Sequence, residues 1–164
     1  MPEVFVAAGS NIHPRAQLRQ AIAELAAAWT ELRVSRAWSN AAVGFAGDDF
    51  INLVVGFETD EALAKVLERL KAVEEASGRE RGAKKWAPRT LDLDLLLYGD
   101  LVGQFPGATL PRADLHERAY VLGPLAELAP HRRHPVLGAT FGALWKAFDR
   151  SSHALREVSL EGAG

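Results

Sequence analysis

Apolar residues fall along the chain in two alternating rhythms, one of period two and one near three and a half, and the alternation predicts a mixed fold. Val4 to Ala8 is a short continuous apolar run closed by Gly9-Ser10-Asn11, as expected of a buried strand meeting a turn. Leu18, Ile22, Leu25 and Trp29 recur at helical spacing and predict an amphipathic helix from about Pro14 to Trp29. Leu32, Val34 and Trp38 alternate with polar partners and suggest a second strand, and Phe50 to Phe57 reads as a third. Between them, Asn40 to Asp49 holds Gly44, Gly47 and an acidic tip, and reads as a loop. Asp60 is placed to cap a second helix, striped by Leu63, Val66, Leu67, Leu70 and Val73 and ending at Gly78. Pro88 disfavours helix on its N-terminal side, and Thr90 to Gly99 then predicts a strand of an internal sheet. Gln104 to Asp114, with Pro106 and Pro111, reads as a loop. Leu115 to Ala129 reads as mainly helical with a bend at Pro124. Thr140 is placed to cap a last helix carrying Phe141, Leu144, Trp145 and Phe148, and the tail after Ser151 reads as loose.

The order strand, helix, two strands, helix, strand indicates an α+β architecture with a mostly antiparallel sheet. No repeat or low-complexity linker divides the 164 residues, so one domain over 1–164 is expected. A net charge of −2 lacks the basic excess of a general nucleic-acid binder, though it leaves room for a local phosphate site. The absence of cysteine excludes disulfides and thiolate metal sites and fits a reducing compartment. Neither a signal peptide nor a run of about twenty apolar residues is present, so a cytoplasmic protein is expected, with neither membrane nor nucleic acid as partner.

The residues that do not belong in an apolar strand are Asp92 and Asp94. Two apart, they present carboxylates to one face, about 7 Å apart at the backbone. Enclosing such a pair is costly unless cations or donors balance it, and hard oxygen ligands suit Mg²⁺, which keeps waters and takes its other ligands from substrate phosphates. Arg89 adds a cation with a fork suited to phosphate oxygens. The other reading is an edge strand whose aspartates face water and pair with Arg89 or Lys85. Asn52 is an amide within an apolar run, so it either ties down neighbouring backbone or faces a polar ligand. Glu74 extends the stripe of the second helix and must meet a donor there or lie partly exposed in the last turn. Arg79, Arg81, Lys84 and Lys85 form either a solvated basic loop or a set of cations beside a triphosphate. His131-Arg132-Arg133-His134 is a basic patch with no carboxylate to make it a metal site.

Lys85-x-Ala87-Pro88-Arg89-x-x-Asp92-Leu93-Asp94-Leu95-Leu96 resembles, ungapped, the signature of the 6-hydroxymethyl-7,8-dihydropterin pyrophosphokinases. The resemblance extends from Gly9-Ser10-Asn11 to Leu122-x-Pro124-Leu125-x-Glu127-x-Ala129-Pro130. It implies a ferredoxin-like core with helices on both faces, and transfer of pyrophosphate from ATP to the pterin alcohol, giving AMP, in folate biosynthesis. It also implies two Mg²⁺ ions at Asp92 and Asp94, with Arg79 and Arg89 on the phosphates. Arg81 and Trp86 match a mobile catalytic loop, while Glu74, Leu95, Thr109, Arg112 and Arg118 match nucleotide positions. Phe50 and Tyr120 match the aromatics that stack the pterin, Asn52 the amide that reads its edge, and Asn40, Ala41 and Val43 the loop beside it. The partners so implied are small molecules, and the chain is expected to act as a monomer. Departures from the family pattern are Asn40 for a common threonine, Ala41 for a proline, Lys71 for a frequent glutamine, and Arg112-Ala113 where a histidine and an aromatic or proline are usual. They bring in a second reading, a diverged paralogue that binds pterin without full catalysis. The D-x-D strand alone would also fit a metal-dependent nucleotidyltransferase.

Overall fold

The computed structural model describes residues 1–40, 50–80, 91–152, 154–162 and 164. Its chain order is β1 (Glu3–Ser10), α1 (Pro14–Ala28), β2 (Arg33–Val34), β3 (Ala37–Asn40), β4 (Phe50–Glu58), α2 (Leu63–Glu80) and β5 (Asp92–Tyr98). There follow β6 (Gly103–Phe105), β7 (Ala108–Leu110), α3 (Ala119–Leu128), α4 (Phe141–Ala147) and β8 (Arg156–Val158). The main sheet runs β5-β1-β4-β3-β8, with β2 also on β4, and every pairing is antiparallel. Treating β2 and β3 as one interrupted strand, the core is β-α-β-β-α-β with β1 and β4 central and β5 and β2/β3 outside them, which is the ferredoxin-like α+β arrangement.

Period-two alternation divides the sheet into two faces. Val4, Val6 and Ala8 of β1, Ile51, Leu53, Val55 and Phe57 of β4, and Leu93 and Leu95 of β5 pack against Leu18, Leu25, Val66 and Leu70 of α1 and α2. On the other face Phe5, Val54, Leu96 and Leu97 pack against Val121, Leu122 and Leu125 of α3 and Phe141 of α4. Both faces being covered explains why β4 reads as an unbroken apolar run rather than an alternating one.

Several expectations need correction. Gly9 and Ser10 do not turn; they continue β1 and pair with Asn52 and Ile51. The predicted second strand breaks at Ser35-Arg36, where Ser35 exchanges bonds with Val54 through its own N–H and its hydroxyl oxygen, each at 2.9 Å. Asp60 lies too far upstream to cap α2, whose first amides, of Lys65 and Val66, bond the Ala62 carbonyl, and the helix runs through Gly78 to Glu80. The stretch after Tyr98 is not all loop, because β6 and β7 form a hairpin turning at Pro106-Gly107, where Gly107 has φ +88°. A 3₁₀ turn, Leu115–Glu117, precedes α3, which accommodates Pro124 without ending. The tail expected to be loose contributes β8 to the β3 edge, and Arg15 and Arg19 of α1 donate to the carbonyls of Ser159, Leu160 and Gly162.

Other expectations hold. Thr140 caps α4, its hydroxyl accepting from the Ala143 amide at 3.1 Å. The basic patch is structural: Arg132 bonds Glu3 at 2.7 Å and the Gly99 carbonyl at 2.6 Å, tying the start of β1 to the end of β5. His134 is buried, and its Nδ1 accepts from the amides of Val136 and Leu137 at 3.1 and 3.0 Å. Burial, and secondarily the nearby His116 ring, pushes its pKa below the ordinary imidazole value.

Candidate active site

The site is built on the α3 face of the sheet, where the strands cease to be apolar. Register places Asp92 of β5 opposite Gly9 of β1, Gly9 opposite Asn52 of β4, and Asn52 opposite Trp38 of β3. Partners in adjacent strands share a face and lie about 4.8 Å apart, so the Asp92 carboxylate and the Asn52 amide stand on one row, about 10 Å from each other. Between them Gly9 contributes no side chain. A Cβ there would sit 2.5 Å from Asn52 Oδ1, so the glycine is what lets the amide lie across β1. On the next row Asp94 pairs with Ala7.

These residues open onto one cavity of about 510 Å³, lined by Ala7, Ala8, Gly9, Asn40, Phe50, Asn52, Asp92, Asp94, Arg112, Arg118 and Tyr120. Asn52 is buried, and its Nδ2 donates to Asn40 Oδ1 at 2.5 Å, so its partner is a side chain and its position is fixed from β3. Phe50 and Tyr120, on β4 and α3, supply two partly exposed rings to the same space. The carboxylates face the cavity rather than the core, and the Asp94 side chain is 54% exposed. The cost of enclosing like charges therefore does not compel a metal here, and β5 is an edge strand of the sheet. What supports a metal is the donor set. Two hard carboxylates meet in a solvated, cation-flanked cleft, and among the described residues no third His, Cys, Asp or Glu joins them, which suits an ion completed by water and phosphate.

Two arginines and one further acid complete the rim. Arg112 Nη1 donates to Asp94 Oδ2 at 3.1 Å and its Nε lies in an ion pair with Asp114 Oδ1 at 2.7 Å, while the other Asp114 oxygen accepts from Arg118 Nε at 3.2 Å. Burial pushes the Asp114 carboxyl up, but the Arg118 hydrogen bond and the charges of both arginines outweigh it and hold its pKa below the usual carboxylate range. The Arg118 guanidinium is stabilised in return, first by that hydrogen bond.

Three nucleotide-site expectations fall outside the cavity lining. Glu74 meets its donor, but the donor is the Leu93 amide at 2.7 Å, so the carboxylate braces β5 between the two aspartates. Leu95 points its side chain into the α1/α2 core, and Thr109 lies exposed on β7. Ala41, Val43, Arg81, Trp86 and Arg89 lie outside the described residues, as does the side chain of Arg79. Sequence reasoning missed Asp114, although its four-residue spacing from Arg118 is the ordinary signal of a pair on one helical turn. It also missed Gly9 as part of the floor, for which a glycine inside a strand is the available cue.

A family model for 7,8-dihydro-6-hydroxymethylpterin-pyrophosphokinase matches residues 5–130. The chain belongs to that pyrophosphokinase family. Among its relatives, the 2-amino-4-hydroxy-6-hydroxymethyldihydropteridine pyrophosphokinase of Pseudomonas aeruginosa is 38% identical over 136 residues, covering 80% of this chain and 83% of the relative. The Synechocystis enzyme of the same name is 39% identical over 147 residues, covering 88% and 75%. In fold, the chain is similar to wild-type Plasmodium falciparum HPPK-DHPS crystallised with SDX-DHP, with a TM-score of 0.63 at 13% identity, over 89% of this chain. It spans 43% of that longer protein, and at this identity the likeness concerns the fold. Membership makes the chain a pyrophosphokinase, and none of its described helices is long and apolar enough to cross a membrane.

Proposed function

We propose that the chain transfers the terminal pyrophosphoryl group of ATP to 6-hydroxymethyl-7,8-dihydropterin in the 510 Å³ cavity, with Asp92 and Asp94 holding two Mg²⁺ ions. The observation that carries the proposal is the single row Asp92, Gly9, Asn52, which sets a carboxylate and an enclosed amide about 10 Å apart across a side-chain-free floor. A flat bicyclic ring with a one-carbon arm suits that span. Asn52 and Asn40 read the polar edge of the ring, Phe50 and Tyr120 cover its faces, and the arm extends toward the aspartates.

The hydroxymethyl oxygen attacks the β-phosphorus of ATP. A new O–Pβ bond forms, the bond from Pβ to the oxygen bridging it to Pα breaks, AMP departs with that oxygen, and the hydroxyl proton passes to solvent. Bound Mg²⁺ would supply charge neutralisation on the phosphates and acidify the attacking hydroxyl. The chain's own part is positional: Arg112 and Arg118 bind phosphate oxygens from the rim, and Arg79, Arg81, Arg89 and Trp86 are assigned to the polyphosphate from the motif alone. We assign the nucleotide base no described side chain; Leu95 could serve it only through backbone groups of the β5 edge. Monomeric, cytoplasmic action on these two small molecules completes the reading.

Incubation with ATP, Mg²⁺ and the pterin should yield AMP and the pterin diphosphate. Asp94→Ala should abolish turnover while leaving the circular dichroism spectrum unchanged. Folded wild-type protein that forms no AMP at saturating substrates would refute the proposal, and turnover by Asp94→Ala would remove that carboxylate from the mechanism.

A further inference from the structure

We infer that Arg112 is a resident counter-ion of Asp94 that opposes metal binding until a polyphosphate arrives, with Asp114 as the anchor that keeps it in reach of both. The inference rests on the proposed function and concerns this chain's own residues. The Arg112 backbone is pinned, its amide donating to the Leu96 carbonyl at 3.0 Å, two residues beyond Asp94, and its carbonyl accepting from Leu115 at 3.1 Å. The two arms of its side chain are unequal. The Nε edge lies in an ion pair with Asp114 at 2.7 Å, where both carboxylate oxygens face arginines and the acid is largely covered. The Nη1 arm reaches Asp94 at 3.1 Å through one contact to a half-exposed carboxylate. The Asp94 contact is the longer and the more solvent-exposed of the two, so it can be released while the ion pair with Asp114 holds.

A divalent ion on Asp94 would lie a few ångströms from the guanidinium, and like charges at that distance repel. Metal and Arg112 therefore compete for one carboxylate. Phosphate oxygens resolve the competition, because the released Nη groups gain a bidentate acceptor on the other side of the ion. The consequence is that metal and nucleotide bind as a pair, each improving the site for the other.

The test is a Mn²⁺ titration followed by the electron paramagnetic resonance of the free ion, with and without α,β-methylene-ATP. Without nucleotide, Arg112→Gln should bind Mn²⁺ more tightly than wild type by up to about fivefold, the range expected for a partly exposed ion pair. With the analogue the order should reverse. Asp114→Asn, which frees the Nε edge to engage Asp94 fully, should weaken binding of Mn²⁺ alone, a change opposite in sign to that of Arg112→Gln. Arg112→Gln binding the ion alone no better than wild type, or both variants shifting in the same direction, would overturn the inference while leaving the proposed function standing. Wild type failing to bind Mn²⁺ even with the analogue would overturn both.

Discussion

Replacing Gly9 by alanine would place a methyl carbon 2.5 Å from Asn52 Oδ1. Ordinary contact is about 3.5 Å, so the carboxamide must retreat by about 1 Å. It cannot do so freely, since Nδ2 is bonded to Asn40 at 2.5 Å and the side chain is buried. Losing that bond, or leaving the amide off its mark for the ring edge, costs about 1–2 kcal/mol, or about 5- to 30-fold in pterin affinity. The backbone itself tolerates the change, because Gly9 lies in ordinary strand geometry, where alanine is if anything favoured by about 0.5 kcal/mol. The predicted signature is thus a weakened pterin complex, a melting temperature lower by a few degrees where the Asn40 bond is lost, and little change in affinity for α,β-methylene-ATP. Calorimetric pterin titrations of wild type, Gly9→Ala, Asn52→Ala and the double variant test the cause. With the amide gone, the alanine at position 9 has nothing to displace and should be silent within about 0.5 kcal/mol. Unchanged pterin affinity in Gly9→Ala, or an equal loss in the Asn52→Ala background, would refute the reasoning.

Acidification should weaken the fold through His134. Its Nδ1 must stay unprotonated to accept from Val136 and Leu137, and its folded pKa is depressed below 6.5. The unfolded chain then binds the proton more readily. Stability is full above the ordinary imidazole value and falls as pH drops from there through the folded one. Calorimetry from pH 8 to 5 should show a steeper fall in wild type than in His134→Asn, whose amide oxygen can accept the same bonds without titrating; equal slopes would exclude this origin. Thr140→Ala should cost about 1 kcal/mol by freeing the Ala143 amide at the start of α4, measurable in urea unfolding, whereas Thr140→Ser should cost little.

Elements marked by strong periodicity were legible in the chain. α1, β4 and α4 fall where apolar spacing and a capping threonine put them, because those signals are local and the tertiary structure uses them unaltered. The β6–β7 hairpin was not, since Pro106 and Pro111 punctuate three-residue strands too short to show alternation. Nor was β8, where Arg156-Glu157-Val158 is mostly polar and becomes a strand only because β3 offers an open edge. In the site, Asp92, Asp94, Asn52, Phe50 and Tyr120 do converge, as the motif resemblance implied. The premise that the acids are enclosed failed, because alternation says which residues share a face but not whether that face is covered. The link from Arg112 to Asp94 joins positions 18 apart, and no period in the chain encodes it.

Leu96 has no cross-strand partner: Val6 pairs with Leu95, Phe5 with Leu97, and the residue between them is accommodated by a bulge. Before it, even-numbered positions of β5 carry the aspartates toward the cavity; after it, odd-numbered Leu97 faces that same side while Tyr98 turns to the other core. The chain is therefore out of phase with itself along a single strand, and the extra leucine sets the phase. Excising Leu96 would straighten β5 and leave every remaining side chain on its present face, at the cost of the buried leucine itself and of the local twist that the bulge gives the strand. A one-residue gap between Asp94 and Tyr98 in an aligned sequence is, for this reason, compatible with an unchanged pair of acids facing the cavity.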